Sequence, residues 1–386
     1  MLDRIVRGSV PKKPHTRHCD REGRLLWEEC LTRQGFEGGY SVLYHLYRPH
    51  EQRALGFARG FRLPERGPEQ SLARRHYKTW ELPASGPSPI FAREPLLFND
   101  DVVIGVLRPG VDDDRYFVNA DADDLYFVHR GGGKLLSPFG TLKFKVGDYI
   151  WVPRGVLHRF ELAPGDDQHW LSIECLGELR IPAHYLNGVG QLRLDAPYSH
   201  RDLRLPEYHG PEDEELRELL VKRGGRFHAF ELGHSPLDVT GYDGTVYPVA
   251  FNILDFEPRV GRVHLSPNVH TTFEATGAII CSFVPRPLDF DPKAVPCPYP
   301  HSSVHVDEVL FYARGNFESR KGVSAGSVSH HPAGIPHGPH PGAYEASIGK
   351  TATDELAVML DCTAPLRATK VAAELEDAAY HESFMA

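Results

Sequence analysis

The chain has 386 residues but no run of about 18 or more apolar ones, the length a membrane-spanning helix requires. Its opening, MLDRIVRGSVPKKPH, lacks the apolar stretch of a secretory leader, so a cytoplasmic location is expected. Basic clusters are absent and the formal net charge is −9, which argues against nucleic acid as the main partner, because neutralising phosphates requires surplus Lys and Arg. A small molecule is the better expectation. The six cysteines (Cys19, Cys30, Cys175, Cys281, Cys297, Cys362) form no C-x-x-C, so neither a disulfide framework nor a zinc knuckle is indicated, and reduced, mostly buried thiols are expected. Low-complexity segments are missing too.

What is plentiful is punctuation. Thirty-six glycines and 32 prolines fall between short apolar runs such as KFKVGDYIWV and GAIICSFVP, the pattern of a β-rich chain with many turns. The length favours two domains.

The pattern G-x5-P-x-G-x2-H occurs twice, as Gly147, Pro153, Gly155, His158 and as Gly326, Pro332, Gly334, His337. Upstream of each copy an acid and a glycine are separated by six residues: Asp124 with Gly131, and Glu308 with Gly315. Two ordered half-motifs repeated in register indicate a duplicated chain. They resemble the two motifs of the cupin superfamily, an antiparallel jelly-roll barrel whose metal ligands come from H-x-H-x(3,4)-E-x6-G and from the last histidine of the second motif. The implied fold class is all-β with a few helices, a bicupin of two jelly-roll barrels. The expected organisation is an N-terminal cupin-like domain over 1–209, a helical connection over 210–225 and a C-terminal cupin domain over 226–386. The connection reads as a capped helix because Pro211 opens it, acids fill its first turn, bases its last, and two glycines follow. A second helix is expected in ATKVAAELEDAAYHESF near the carboxyl end.

In the first copy Asn119 stands where the superfamily places a histidine. Only Asp124 and His158 remain as donors there, and no metal is expected. In the second, His301 lies seven residues before Glu308, the place of the first histidine, while Ser303 replaces the second. With His337 this makes two imidazoles and a carboxylate, a triad that leaves positions open on Fe(II) for substrate and dioxygen. His305 is the rival ligand. Both histidines lie an odd number of residues from Glu308, so either choice needs the segment before Glu308 to be a loop or bulge. Of the other histidines in GSVSHHPAGIPHGPHPG, His331 is a candidate to hold a ligand or the substrate, whereas His330 and His340 read as polar turn residues.

With these residues in view, the chain resembles homogentisate 1,2-dioxygenase, particularly its bacterial members. The resemblance rests on HSPLDVTGYDGTVYPVAFNI, RVHLSPNVHTTFEATGAIICSFVPR and ELAVMLDCTAPLRATKVA, and in the first half on GFEGGYSVLYH, NADADDLYFVHRGGGKLLSPFG and GDYIWVPRG. It implies that His301, Glu308 and His337 bind Fe(II), that His264 is the acid-base histidine at the substrate's ring hydroxyl, and that His331 lines the pocket. It further implies a small aromatic acid and O2 as reactants, in tyrosine and phenylalanine breakdown. Where the family has a pocket tyrosine, this chain has Phe317; Tyr312 is the candidate substitute. Arg320, with Lys321, is the candidate counter-charge for the substrate's carboxylate. Homo-oligomers are expected, since cupins associate through barrel edges that would otherwise expose unpaired strands. Rival readings are a gentisate-type dioxygenase, a cupin isomerase or epimerase using Zn or Mn, and a non-catalytic bicupin.

Overall fold

The computed structural model describes residues 2–212, 215–315, 317 and 322–385. Among the described residues strands dominate, every strand-to-strand pairing but one is antiparallel, and the α-helices are two short segments, Ala343–Ala346 and Lys370–Glu374. The first half is built on an eight-stranded sheet, with strand Asp123–Arg130 between Asp148–Val152 and His169–Cys175, joined by a three-stranded sheet over residues 132–162. The second half is built on a six-stranded sheet in which Asp307–Arg314 lies between Leu356–Cys362 and Ser327–His331. This is the β-rich, antiparallel, duplicated architecture expected from the repeat. Gly147 and Gly326, the first glycines of the repeated motif, sit at φ +87° and +88°, left-handed turn positions that disfavour a side chain.

The halves exchange strands. Arg75–Lys78 completes the second sheet beside Ser327–His331, and Arg367–Ala368 completes the first beside Arg93–Phe98. One continuous apolar core follows, running through both sheets, with Phe127 meeting Phe311 edge-on at 6.1 Å between ring centroids.

The expected helix over 210–225 is absent from the described residues. Leu219–Arg223 and Arg226–Leu232 form a hairpin closed by Gly224 and Gly225, with φ +60° and +62°. Two consecutive positive φ values make a tight turn whose twist matches the strands, so the glycine pair reads as a hairpin turn rather than a helix stop. The strands from 226 to 252 all pair with first-half strands, and by pairing this stretch belongs with the first sheet system. The expected carboxyl-terminal helix is shorter than its sequence suggests. Thr369 caps Lys370–Glu374, but Glu376 then bridges to Tyr77 and the N–H of Asp377 donates to the carbonyl of His76, which ends the helix before the 3-10 turn Tyr380–Phe384. All six cysteines are free and four are buried. No helix among the described residues is long and apolar enough to cross a membrane.

Candidate metal centre

Alternation along Asp307–Arg314 sends Val309, Phe311 and Ala313 into the common core. It sends Glu308, Leu310 and Tyr312 to the opposite face, where Leu310 and Tyr312 pack with Cys281, Phe317 and Met359. Glu308 thus shares a face with this largely apolar group. Pairing sets its neighbours: His331 lies opposite on one side and Asp361 on the other.

His301 and His337 are brought together by the backbone. Each donates its N–H to the other's carbonyl at 2.8 Å, and the rings stand edge-on at 4.3 Å. Nε2 of His301 is 3.9 Å from Oε2 of Glu308, and Nε2 of His337 is 3.8 Å from the same oxygen. One donor atom from each of the three lies within 4.8 Å of the others. His305, the rival candidate, lies on an exposed bend outside this group, and the chain from 302 to 306 is irregular, which removes the parity difficulty for His301.

The surroundings fit a bound cation. His337 is 2% exposed, yet neither ring nitrogen has a hydrogen-bond partner, an arrangement that costs about 1–3 kcal/mol per buried group unless something satisfies it. Nδ1 of His301 donates to the carbonyl of Tyr299 at 3.2 Å, which turns Nε2 toward Glu308. His331, fully buried, donates from Nδ1 to Oε1 of Glu308 at 2.7 Å, while its Nε2 lies 3.3 Å from the hydroxyl of Tyr380. One carboxylate oxygen is therefore held by the protein and the other faces the two imidazoles. Two imidazoles and a carboxylate are a donor set suited to Fe(II).

The remaining expected residues fall around this group. His264 is about one-third exposed; its Nδ1 is 3.6 Å from Oδ2 of Asp289 and its ring meets Tyr299 edge-on at 5.3 Å. Tyr299 in turn meets His301 at 6.2 Å, so His264 is linked to the donor set through one aromatic ring. Tyr312 is buried with its hydroxyl 3.1 Å from Oγ of Ser329, and its ring packs edge-on against Phe317 at 4.8 Å. Arg320 and Lys321 lie outside the described residues. His330 and His340 are not the solvated turn residues their proline-rich setting suggested: both are buried. His330 lies within the strand Ser327–His331 and bonds Asp307, and His340 bonds Ser383 and stacks on Phe384.

Sequence reasoning missed Asp361, Tyr299 and Tyr380. Burial, and then the charge of Glu308, push the Asp361 carboxyl up to about 6. Tyr299 carried a weak signal, its place two residues before His301; Asp361 and Tyr380 carried none.

The corresponding place in the first half is filled by cations from the chain itself. Arg93 contacts both oxygens of Asp124, at 3.1 and 3.2 Å, and Oε1 of Glu174 at 3.2 Å; Lys222 pairs with Glu174, and Asn119 donates to Asp124. His158 is buried there, with its imidazole lowered to about 4 by that burial.

The family described as homogentisate 1,2-dioxygenase N-terminal matches residues 107–253. "Putative dioxygenase SSO1533" of Saccharolobus solfataricus is 35% identical over 97% of this chain and 96% of its own length. The homogentisate 1,2-dioxygenase of Bradyrhizobium diazoefficiens is 28% identical over 67% of this chain, and the match spans 60% of that enzyme's length. Among solved structures, a cupin 2 conserved barrel domain protein from Leptotrichia buccalis aligns with 76% of this chain and 99% of its own at 11% identity and a TM-score of 0.33. With the duplicated β architecture and the cupin motifs in place, the chain belongs to the homogentisate 1,2-dioxygenase family of cupin enzymes.

Proposed function

We propose that the protein is an Fe(II)-dependent dioxygenase that opens the ring of homogentisate, adding both atoms of O2 to give maleylacetoacetate. The observation that carries this reading is the convergence of His301, Glu308 and His337, with both nitrogens of buried His337 unpartnered. The relative matched over 96% of its length is named "Putative dioxygenase SSO1533", and relatives matched over two thirds of this chain are named homogentisate 1,2-dioxygenase.

Fe(II), held by His301, Glu308 and His337, would supply open coordination positions and the electron density that lets triplet O2 react with a closed-shell ring. The chain's own residues do the rest. His264, held from one side by Asp289, takes the proton of a ring hydroxyl, so that the substrate engages as a phenolate. His331 and Tyr380 keep Glu308 oriented, and the carbonyl of Tyr299 fixes the tautomer of His301. The apolar wall of Leu310, Met359, Cys281 and Phe317 keeps water from the ring face. A cytoplasmic homo-oligomer goes with this reading.

Phe317 favours one alternative substrate. Where a phenol would bond a polar ring substituent, this chain presents an apolar ring packed on Tyr312, whose own hydroxyl is engaged by Ser329. That suits a substituted hydroquinone with a less polar edge. Oxygen uptake by anaerobically purified, Fe(II)-loaded protein on homogentisate, gentisate and hydroquinone tests both. Uptake on homogentisate alone supports the first reading; turnover of another ring only replaces the substrate; no uptake on any ring, with iron bound, overturns the dioxygenase assignment.

A further inference from the structure

The strands that carry the donor set have a second face. Asp307 and His330 are the immediate chain neighbours of Glu308 and His331 and point the opposite way. In the adjoining pairing His330 lies opposite Arg75 and Val328 opposite Tyr77, so His330, Arg75 and Tyr77 share one face, the same face that turns Val309 and Val328 into the common core. Residues 66–73 and 365–368 fold over it and leave a cleft of about 320 Å³.

Two polar groups at the bottom of this cleft are unsatisfied. Tyr77 is fully buried and its hydroxyl has no partner; His330 is 6% exposed and its Nδ1 has none. Asp307, by contrast, is well engaged: it accepts from His330 Nε2 at 3.0 Å, from Ala333 N at 2.8 Å and from Leu366 N at 2.9 Å. Burial raises the Tyr77 phenol well above its ordinary range, so it remains a protonated donor. The complement of a phenolic O–H and an imidazole nitrogen that line one cleft is a group that can both accept and donate, which is a hydroxyl. The walls, Pro68, Leu72, Pro332 and Leu366, are apolar, and the exposed rim carries Arg66 and Arg367, the latter also bonded to Asp100 at 2.8 Å. Arginine at a rim suits a carboxylate.

We propose that this cleft is a second ligand site, back to back with the metal centre, for a small hydroxy-carboxylic acid whose hydroxyl reaches Tyr77 and His330 and whose carboxylate meets Arg66 and Arg367. The site is independent of the reaction proposed above, because none of its residues is in the donor set.

The experiment is calorimetric titration of the iron-loaded protein with 4-hydroxybenzoate, with benzoate as the probe lacking the hydroxyl. The expected result is saturable binding of 4-hydroxybenzoate that weakens about tenfold in Tyr77→Phe, as loss of one buried hydrogen bond implies, and by a similar factor in Arg66→Gln. Benzoate should bind wild type and Tyr77→Phe equally. Tyr77→Phe should keep the wild-type melting temperature, since its hydroxyl has no protein partner to lose, and exposed Arg66 gives a second variant that does not disturb the core. Absence of saturable heat up to about 10 mM, a concentration that still detects binding worth only about 3 kcal/mol, would mean that water alone fills the cleft. Binding unchanged in both variants would place the ligand elsewhere. Either result overturns the proposal.

Discussion

Glu308 and His331 face each other across a strand pair, and the 2.7 Å bond between Oε1 and Nδ1 assigns each carboxylate oxygen a separate task. His331 is bonded on its far side to Tyr380, so the orienting chain runs from the carboxyl-terminal turn into the donor set. Such supporting partners typically account for about 10–100-fold in metal affinity. The expectation is that His331→Phe retains iron at saturating Fe(II) but loses it to a chelator at a concentration lower by about that factor, whereas Glu308→Ala retains none. Metal analysis after graded chelator dialysis reads both. Equal retention by wild type and His331→Phe would deny His331 its orienting part.

His264 touches neither Glu308 nor His337 and reaches His301 only through the ring of Tyr299. Its removal should therefore separate chemistry from metal binding. His264→Ala is expected to keep full iron content and to lose about 10²–10⁴ in kcat, the range for a lost general base. Asp289→Asn, which leaves the imidazole but removes the carboxylate 3.6 Å from it, should keep full iron content and lose less kcat than His264→Ala does. A normal kcat in His264→Ala would end the acid-base assignment.

That His301, Glu308 and His337 come together was legible in the sequence because cupin motifs recur at fixed spacing and their glycines must occupy turns: Gly147 and Gly326 keep nearly the same φ across the repeat. What was not legible is what distant strands contribute. Asp361 reaches Glu308 only because Leu356–Cys362 pairs in one particular register, and Tyr380 arrives from the last turn of the chain; neither sits in a motif. Residues 210–225 misled for a local reason, since bases followed by Gly-Gly suit a helix end and a hairpin turn alike, and only the partner strand at 226–232 decides between them. His330 and His340 misled because a proline-rich stretch reads as surface, whereas here one lies within a paired strand and the other packs under the carboxyl-terminal turn.

In the first half, Arg93 is buried against Asp124 and Glu174, with Lys222 completing the group. Burial opposes the charge of Arg93, but the surrounding carboxylates more than offset it and hold the guanidinium protonated. Removing it leaves those carboxylates facing an apolar interior with one cation fewer. Arg93→Met should cost about 3–5 kcal/mol in urea unfolding, the range for breaking a buried ion pair from one side. Iron content should not change, because the group lies outside the donor set. A loss under about 1 kcal/mol would show that these charges are reached by water.

His45 offers a pH test of the sheet that packs the amino-terminal strands. It is 2% exposed and bonds Asp238 at 2.7 Å and Glu29 at 3.1 Å, while Asp238 also accepts from Tyr47 N. Burial alone would lower its pKa; the bonds to the two carboxylates outweigh that and raise it to about 9. A histidine whose folded pKa exceeds its unfolded value near 6.5 contributes its full stabilisation below about pH 6.5 and loses it as pH rises toward 9. The shift corresponds to a contribution on the order of 3 kcal/mol. Urea unfolding of wild type and His45→Gln should accordingly show a stability gap at pH 6 that narrows steadily and nearly closes by about pH 9.5. A gap that stays constant across that interval would mean His45 acts through packing and neutral hydrogen bonds, with no charge gained on folding.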